Sequence, residues 1–382
     1  MHINTFINNV FMMIAVFLFV PTAYSNEPST DGCKNNNSYY TFIWENDSFA
    51  SGGDRHYTNG MKLSWLNYPC ESEQSGLIKP TYASLVKSFT DPFTDKEWKV
   101  DLGGVFGINM YTPNNIRTSV RQRNDRPFVG WLYGGVLMQA MLPSEKQEAS
   151  LYRAKAFVST EIQIGVVGPR AGQGRVQTFI HQDLHLSDNI PNGWQNQVSN
   201  RPGAVVLTSF STNYFYDGPV SKKKFIRVTP MAGITAGNII QFVSAGAMLA
   251  VGRPSDSFVN STIKPAVKHM AHFNNVQKPK SDIDSISVNK EEISDKGWHY
   301  DIHTGFDHRY IFNSIFVEGA GEAKHDIDLV HHVYDTILGF SASHGNFMFS
   351  WSRIRRSVEF TSSDPSVVKA HVIGQVIVEW KF

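Results

Sequence analysis

Apolar and polar residues alternate along this chain with a period of two, segment after segment, as in strands that set one face against an apolar medium. The clearest run is 151–166. Tyr152, Ala154, Ala156, Val158, Thr160, Ile162, Ile164 and Val166 fall on one face, and Arg153, Lys155, Ser159, Glu161 and Gln163 on the other. Globular strands average about five or six residues. A strand of some sixteen suits one that crosses a bilayer at a slant and continues beyond it. The last segment reads alike: Ala370, Val372, Gly374, Val376, Val378, Trp380 and Phe382 share a face opposite His371, Gln375, Glu379 and Lys381.

The same reading along the chain predicts strands at about 38–45, 58–67, 99–110, 128–141, 150–166, 204–216, 223–236, 240–252, 298–312, 329–342, 346–359 and 369–382. That is twelve, and an even number returns both chain ends to one side of a membrane. The fold class predicted is all-β, an up-and-down transmembrane barrel, with a soluble β-sandwich as the alternative that also alternates. Connections after even strands are mostly short, as periplasmic turns are. The polar, Lys/Asp/Ser-rich stretch 253–297 breaks that rule and is predicted as a mobile insertion.

Two features of the ends favour the barrel. Val10 to Val20 is an apolar run of signal-peptide length before Ala23-Tyr24-Ser25, so residues 1–25 read as a cleaved leader and 26–382 as the mature barrel. The chain closes on Phe382, and a terminal amphipathic strand ending in an aromatic residue resembles the C-terminal signal that outer-membrane insertion machinery recognises. The localisation expected is the bacterial outer membrane. A formal net charge of +1 argues against a nucleic-acid partner. Cys33 and Cys70 flank the first two strands, which leaves open a disulfide or two lone thiols.

Chemistry concentrates in two loops that follow odd strands, on the extracellular side. The first, between Trp44 and Trp65, gathers Glu45, Asn46, Asp47, Asp54, His56, Thr58 and Asn59 around Gly52-Gly53. Such oxygen donors could hold a hard cation such as Ca²⁺, although Asn, Asp and Gly are also ordinary hairpin residues. The second follows the fifth strand. Val176, Ile180 and Leu184 form a helical stripe with Gln177, His181 and His185 beside it, and Pro191 and Gly193 stop the helix. A neutral imidazole there could take a proton from water, and a nearby cation could stabilise the oxyanion formed on ester attack.

Five motifs in order then carry a resemblance: Glu45 to Gly60, Met110 to Pro113, Asp125 to Tyr133, Gly165 to His181 and Gly193 to Gln197. Together they resemble the lipid A 3′-O-deacylase family of Gram-negative outer membranes over most of the mature chain. The resemblance implies a twelve-stranded barrel with its active site between the outer wall and a loop helix, facing the extracellular leaflet. It also implies Ca²⁺-dependent hydrolysis of the 3′-linked acyloxyacyl ester of lipid A. By motif match His181 is the general base, Asn46 and Asp47 the residues near Ca²⁺, and Thr58 the hydroxyl that orients ion or water. The family's glutamate after its histidine is absent here, and Asp188 is the expected replacement. Lipid A phosphates would meet Arg117, Arg121, Arg123 and Arg126 in one loop, and Arg353, Arg355 and Arg356 at the end of the eleventh strand. Positive rims that only hold a barrel in lipopolysaccharide are the competing explanation for those cations. The alternatives in function are a serine-dependent outer-membrane phospholipase, for which no serine–histidine spacing recommends itself, and a non-catalytic porin or adhesin. Acyl preference, latency and oligomeric state have no signature in the sequence.

Overall fold

The computed structural model describes residues 37–47, 49, 56–68, 78–90, 98–142, 152–183, 189–217, 224–254, 297–320 and 325–381. The leader, both cysteines, the segment 255–296, Asp188 and Phe382 lie outside the described residues, as do the expectations placed on them.

Twelve antiparallel strands close into one barrel. They are β1 (Asn37–Asn46), β2 (His56–Tyr68), β3 (Lys99–Thr112), β4 (Val129–Leu142), β5 (Tyr152–Val167), β6 (Arg201–Asp217), β7 (Lys224–Gly237), β8 (Ile240–Arg253), β9 (His299–Ser314), β11 (His332–His344), β12 (Phe347–Arg356) and β14 (His371–Lys381). Each strand pairs with the next along the barrel. β1 seals the cylinder against β14, with Thr41 opposite Glu379 and Glu45 opposite Gln375. Two short strands, β10 (Ile327–Leu329) and β13 (Phe360–Ser362), pair separately as a ribbon beyond the extracellular ends.

That ribbon corrects the expectation at 329–342 and 346–359. The first predicted strand ran on into Leu329 of the ribbon, because alternation continues through the break, and the second ran past Arg356 but stopped short of β13, which it left unassigned. β10 ends at Leu329 and β11 begins at His332, so the chain turns out of the wall between them. Ile327 and Phe360 then bury with Val317 and Val367 in a small core of their own over the mouth.

Alternation sets the two faces. Glu161 and Gln163 are buried in the lumen, whereas Ile162 and Ile164, between and beside them, are 37% and 68% exposed on the outer wall. The lumen is filled by paired charges and aromatic rings. Lys62 donates to Glu161 (2.6 Å), Gln163 donates to the other oxygen of Glu161 (2.6 Å), and Gln375 donates to Glu45 (2.6 Å). Nearer the extracellular end, Arg356 holds Asp335 through two hydrogen bonds of 2.6 and 2.5 Å, and Arg309 bonds the same carboxylate. Buried charges persist only when paired in this way. Trp131 stacks on Tyr133, and Tyr111 on Phe316, between these networks.

A helix that alternation did not reveal, α1 (Ile78–Thr90), lies in the connection after β2. Tyr82 and Val86, four apart, bury against Trp98 and Ala140, with Met138, Ala156 and Val158 alongside. Those wall residues face outward, so α1 packs on the outside of the barrel at its periplasmic end. Tyr82 also donates from its hydroxyl to Thr160 Oγ1 at 3.0 Å. The long segment after β8 keeps its predicted parity, since β8 is the eighth barrel strand.

Candidate active site

The site is built on the outer face where β1 to β4 end. Alternation carried up β2 from Lys62 in the lumen would send Thr58 inward and Tyr57 outward. Instead the β2–β3 register slips between Tyr57 and Asn59, a β-bulge. His56 beside it adopts φ 65°, in the left-handed region that β-structure normally avoids. Tyr57 therefore points inward and packs on Tyr111, centroids 5.2 Å apart, while Thr58 and Asn59 both serve the outer side. Thr58 and Thr112 hydroxyls meet at 2.6 Å, Trp44 Nε1 donates to Asn59 Oδ1 at 3.0 Å, and Asn59 stands opposite Asn46. Asp47 follows with its backbone N–H paired to the Thr58 carbonyl, and its residue is 2% exposed. Three of the expected residues, Asn46, Asp47 and Thr58, thus share the ends of two adjoining strands.

The loop after β5 lays its helix over the neighbouring wall. Pro169–Ala171 form a 3₁₀ turn, Gln173–Thr178 the α-helix α2, and Phe179–Asp183 a π-helical turn. π-turns are rare and recur at functional sites. The predicted stripe Val176, Ile180 sits at the flank of the buried face. Fully buried instead are Gln173, Gln177 and His181, at i, i+4 and i+8. Gln173 Nε2 donates to the Trp131 carbonyl at 3.1 Å, and Trp194 Nε1 donates to Gln177 Oε1 at 2.7 Å. Gly130 makes this approach possible, since a Cβ there would stand 2.4 Å from Gln173 Oε1. The apolar part of the contact is Met110, Ile116, Phe128 and Trp194, with Val176 against them. Met110 pairs with Asn59 across β2 and β3, so the helix seat adjoins the Asn46–Thr58 corner.

His181 is 6% exposed, and its Nδ1 lies 2.5 Å from the Asn189 carbonyl oxygen. A carbonyl only accepts, so Nδ1 carries the proton and Nε2 the lone pair of the neutral ring. Asn189 is in turn bonded through its side-chain oxygen by Arg117 Nη2. Sequence reasoning missed Asn189, because a backbone carbonyl partner leaves no mark in residue type. It also missed Gln173, Trp194 and Thr112 as supports, although each falls in or beside a quoted motif. Leu184, His185 and Asp188 lie outside the described residues.

The predicted cations part company. Arg117 reaches the cleft edge through Asn189. Arg121 is half-buried nearby, and Arg123 pairs with Asp326 on the surface at 3.0 Å. Arg126, expected to meet phosphate, is instead fully buried. It donates to the Phe316 carbonyl (3.1 Å) and to Glu359 (3.1 Å), so it braces the canopy over the lumen. Arg356 is likewise buried, in the lumen. Arg353 and Arg355 face outward on β12, which β14 and β1 separate from β2.

The structure also joins residues with no shared motif or spacing in the chain. His303 Nδ1 lies 3.0 Å from Asp301 Oδ1, His303 Nε2 2.9 Å from Ser352 Oγ, and Ser341 Oγ 2.6 Å from Asp301 Oδ2. The relay crosses from β9 to β12 under Gly339, where a Cβ would stand 2.5 Å from His303 Nε2. It has the atom order of a serine triad, but Ser352 and His303 are 3% and 2% exposed inside the lumen.

Among solved structures, LpxR from Salmonella typhimurium matches with a TM-score of 0.59 and 18% identity, over 90% of this chain and 99% of that one. The β-domain of the Bordetella autotransporter BrkA (TM-score 0.35, 7% identity, 90% and 98% covered) and the translocator of NalP from Neisseria meningitidis (TM-score 0.31, 8% identity, 99% and 98% covered) are too distant to add to it. No curated protein matches the chain. The sequence profile described as outer membrane protein LpxR spans residues 11–382. Nearly the whole chain is covered, and with a closed barrel of twelve strands behind it this protein belongs to the LpxR family of outer-membrane β-barrels.

Proposed function

We propose that this protein is a lipid A 3′-O-deacylase, which hydrolyses the 3′-linked acyloxyacyl ester of lipopolysaccharide in the cleft between the outer wall and the β5–β6 loop. The observation that carries this reading is the tautomer of His181. Its Nδ1 proton is committed to the Asn189 carbonyl, so the basic nitrogen is Nε2, on a ring held between helix and wall at the extracellular rim. His181 Nε2 takes a proton from water, and the hydroxide adds to the ester carbonyl carbon. The tetrahedral intermediate then collapses, and the imidazolium returns the proton to the departing sugar oxygen. The Asn189 carbonyl steadies the imidazolium while it is charged. Thr58, oriented by Thr112, hydrogen-bonds the attacking water, and Arg117 and Arg121 offer cations to the lipid A phosphates.

The corner residues fit a hard cation in donor type. Asn46, Asp47 and Thr58 supply an amide, a carboxylate and a hydroxyl oxygen, as Ca²⁺ prefers. Among the described residues no group of three or more His, Cys, Asp or Glu gathers there, so backbone carbonyls and water would complete the shell. Bound there, Ca²⁺ would supply positive charge for the ester carbonyl oxygen. Mass spectrometry of lipid A incubated with the purified protein, with Ca²⁺ and with chelator, tests the reading. Loss of one acyloxyacyl unit from the 3′ position only with Ca²⁺ is expected. The same loss in chelator removes the cation, and no loss in either from a folded barrel removes the deacylase.

A second reading rests on the Asp301–His303–Ser352 relay, which would make a serine esterase of the lumen. A fluorophosphonate probe would then add its mass to Ser352, and an unlabelled Ser352 in folded protein discards that enzyme.

A further inference from the structure

Far round the wall from His181, the outer face of β9, β11 and β12 carries cations without acidic partners. On β12 the arginines divide by parity. Arg356 points inward to Asp335 and Glu359, whereas Arg353 and Arg355 point outward and are exposed. No ion pair or hydrogen bond holds either one among the described residues, and the outward positions of β9, β11, β12 and β14 include no carboxylate. The opposite charge must therefore come from outside the protein.

The surroundings say from where. The wall turns apolar at Leu338, level with Arg353, and stays so below it, with Trp351 opposite Phe340, until it ends in Trp298 and Tyr300 at the periplasmic margin. An aromatic margin, an apolar band and then cations is the order expected from one interface across to the other. Arg353 and Arg355 thus stand at the headgroup level of the outer leaflet, about 7 Å apart along the strand. Beside them His308 Nε2 and His332 Nδ1 are hydrogen-bonded at 3.0 Å, with ring planes 4° apart, and Tyr334 stacks on His308 at 4.6 Å. One imidazole donates within the pair and the other accepts. The two remaining ring nitrogens then offer one donor and one acceptor, suited to a sugar hydroxyl.

We propose that Arg353, Arg355 and the His308–His332–Tyr334 stack form a docking surface for the phosphorylated sugar headgroup of an outer-leaflet lipopolysaccharide molecule, separate from the cleft at His181. Guanidinium forks bind the phosphate, and the imidazole–phenol stack lies against the sugar. The surface holds a boundary lipid rather than presenting an ester to His181. It depends on the outer-membrane location and not on the reaction.

Native mass spectrometry of the full-length barrel in detergent tests this, with His181→Ala in every sample to prevent turnover. The probes are phosphorylated deep-rough lipopolysaccharide and its dephosphorylated form. Arg353→Gln/Arg355→Gln should retain one fewer phosphorylated molecule, with affinity at that site weakened about thirtyfold, as for removal of two cations near a charged surface. The dephosphorylated lipid should not distinguish the two proteins, and excess inorganic phosphate should not strip the lipid from the unsubstituted surface. Both arginines are exposed, and heat-modifiable gel mobility verifies folding. Equal retention by both proteins overturns the proposal, as does retention lost equally for both lipids. So does release by inorganic phosphate, which would make the surface a free-anion site. In protein with His181 restored, loss of deacylation by the arginine variant with unchanged lipid retention would assign these cations to the substrate path, and the proposal falls.

Discussion

The lumen and the outer cleft are made from the same residue types and use them in opposite ways. In the lumen, Lys62 meets Glu161, and Asp335 is clamped between Arg309 and Arg356. These charges answer one another inside the protein. At the outer cleft His181 is held by a backbone carbonyl, which fixes its tautomer. Thr58 leans on another hydroxyl, and Asn59 on an indole N–H. The difference teaches that charge inside a barrel is no sign of function when it closes on itself. Neutral dipoles that orient a group are the better sign.

The largest effect that would break this comparison is removal of the cation. Chelation is expected to abolish 3′ deacylation while leaving the lumen intact, read by lipid A mass spectrometry beside gel mobility of the folded barrel. A barrel that unfolds in chelator would place the ion in the structure instead. Next in size is the lumen itself. Asp335→Ala removes the carboxylate that two buried guanidiniums share, leaving Arg309 only Asp307 and Arg356 only Glu359, and should cost about 3 kcal/mol in urea unfolding. Lys62→Met/Glu161→Leu, which removes both members of a pair, should cost far less than either single change; equal losses would show that the pair contributes net stability.

Smaller again is Thr112→Val, which takes the hydroxyl partner from Thr58. It should lower kcat by about fivefold, the worth of one hydrogen bond near 1 kcal/mol. Thr229→Val, which cuts a 2.7 Å bond to Asn213 in the lumen, should touch stability alone. Matching kinetic effects from both would erase the distinction between cleft and lumen.

The smallest concerns the canopy. Burial holds the His325 pKa below its usual 6.5, against the hydrogen bond to the Asp125 carbonyl and with Arg121 opposing its charge. The folded state therefore binds that proton less readily than the unfolded one. Its contribution is present above about pH 6.5 and is lost as pH falls toward the lowered value. Hydrogen exchange in the β9–β11 connection should quicken below that pH and not above it. His325→Phe should flatten the change.

Much of this was legible because alternation reports the two faces of a wall directly. Glu161 and Gln163 against Ile162 and Ile164 revealed inside and outside before any register was known. The family motifs gave Asn46, Asp47, Thr58 and His181 their places. What alternation cannot report is where a strand leaves the wall, so Leu329 of β10 was joined to β11, and β13 was not read as a strand at all. It also passed over α1, whose buried face among the described residues is Tyr82 and Val86. The helix at His181 was read by its apolar stripe, yet it docks through Gln173 and Gln177, since the wall there offers a carbonyl and an indole N–H to amides. Arg126 was grouped with Arg117, Arg121 and Arg123 because it shares their loop in sequence; its partners, Phe316 and Glu359, arrive from other parts of the chain. Ser352 and His303, on strands separated by β11, meet only through register.

The most direct test sets the two regions side by side: His181→Ala and Ser352→Ala, each purified as a folded barrel, assayed on lipid A with Ca²⁺ by mass spectrometry. The account predicts that Ser352→Ala releases the 3′ acyloxyacyl chain as the unsubstituted protein does. His181→Ala should be slower by about 10²–10⁴-fold, the usual contribution of a general base. Retained activity in His181→Ala, or its loss in Ser352→Ala, would contradict it and move the chemistry from the outer wall into the lumen.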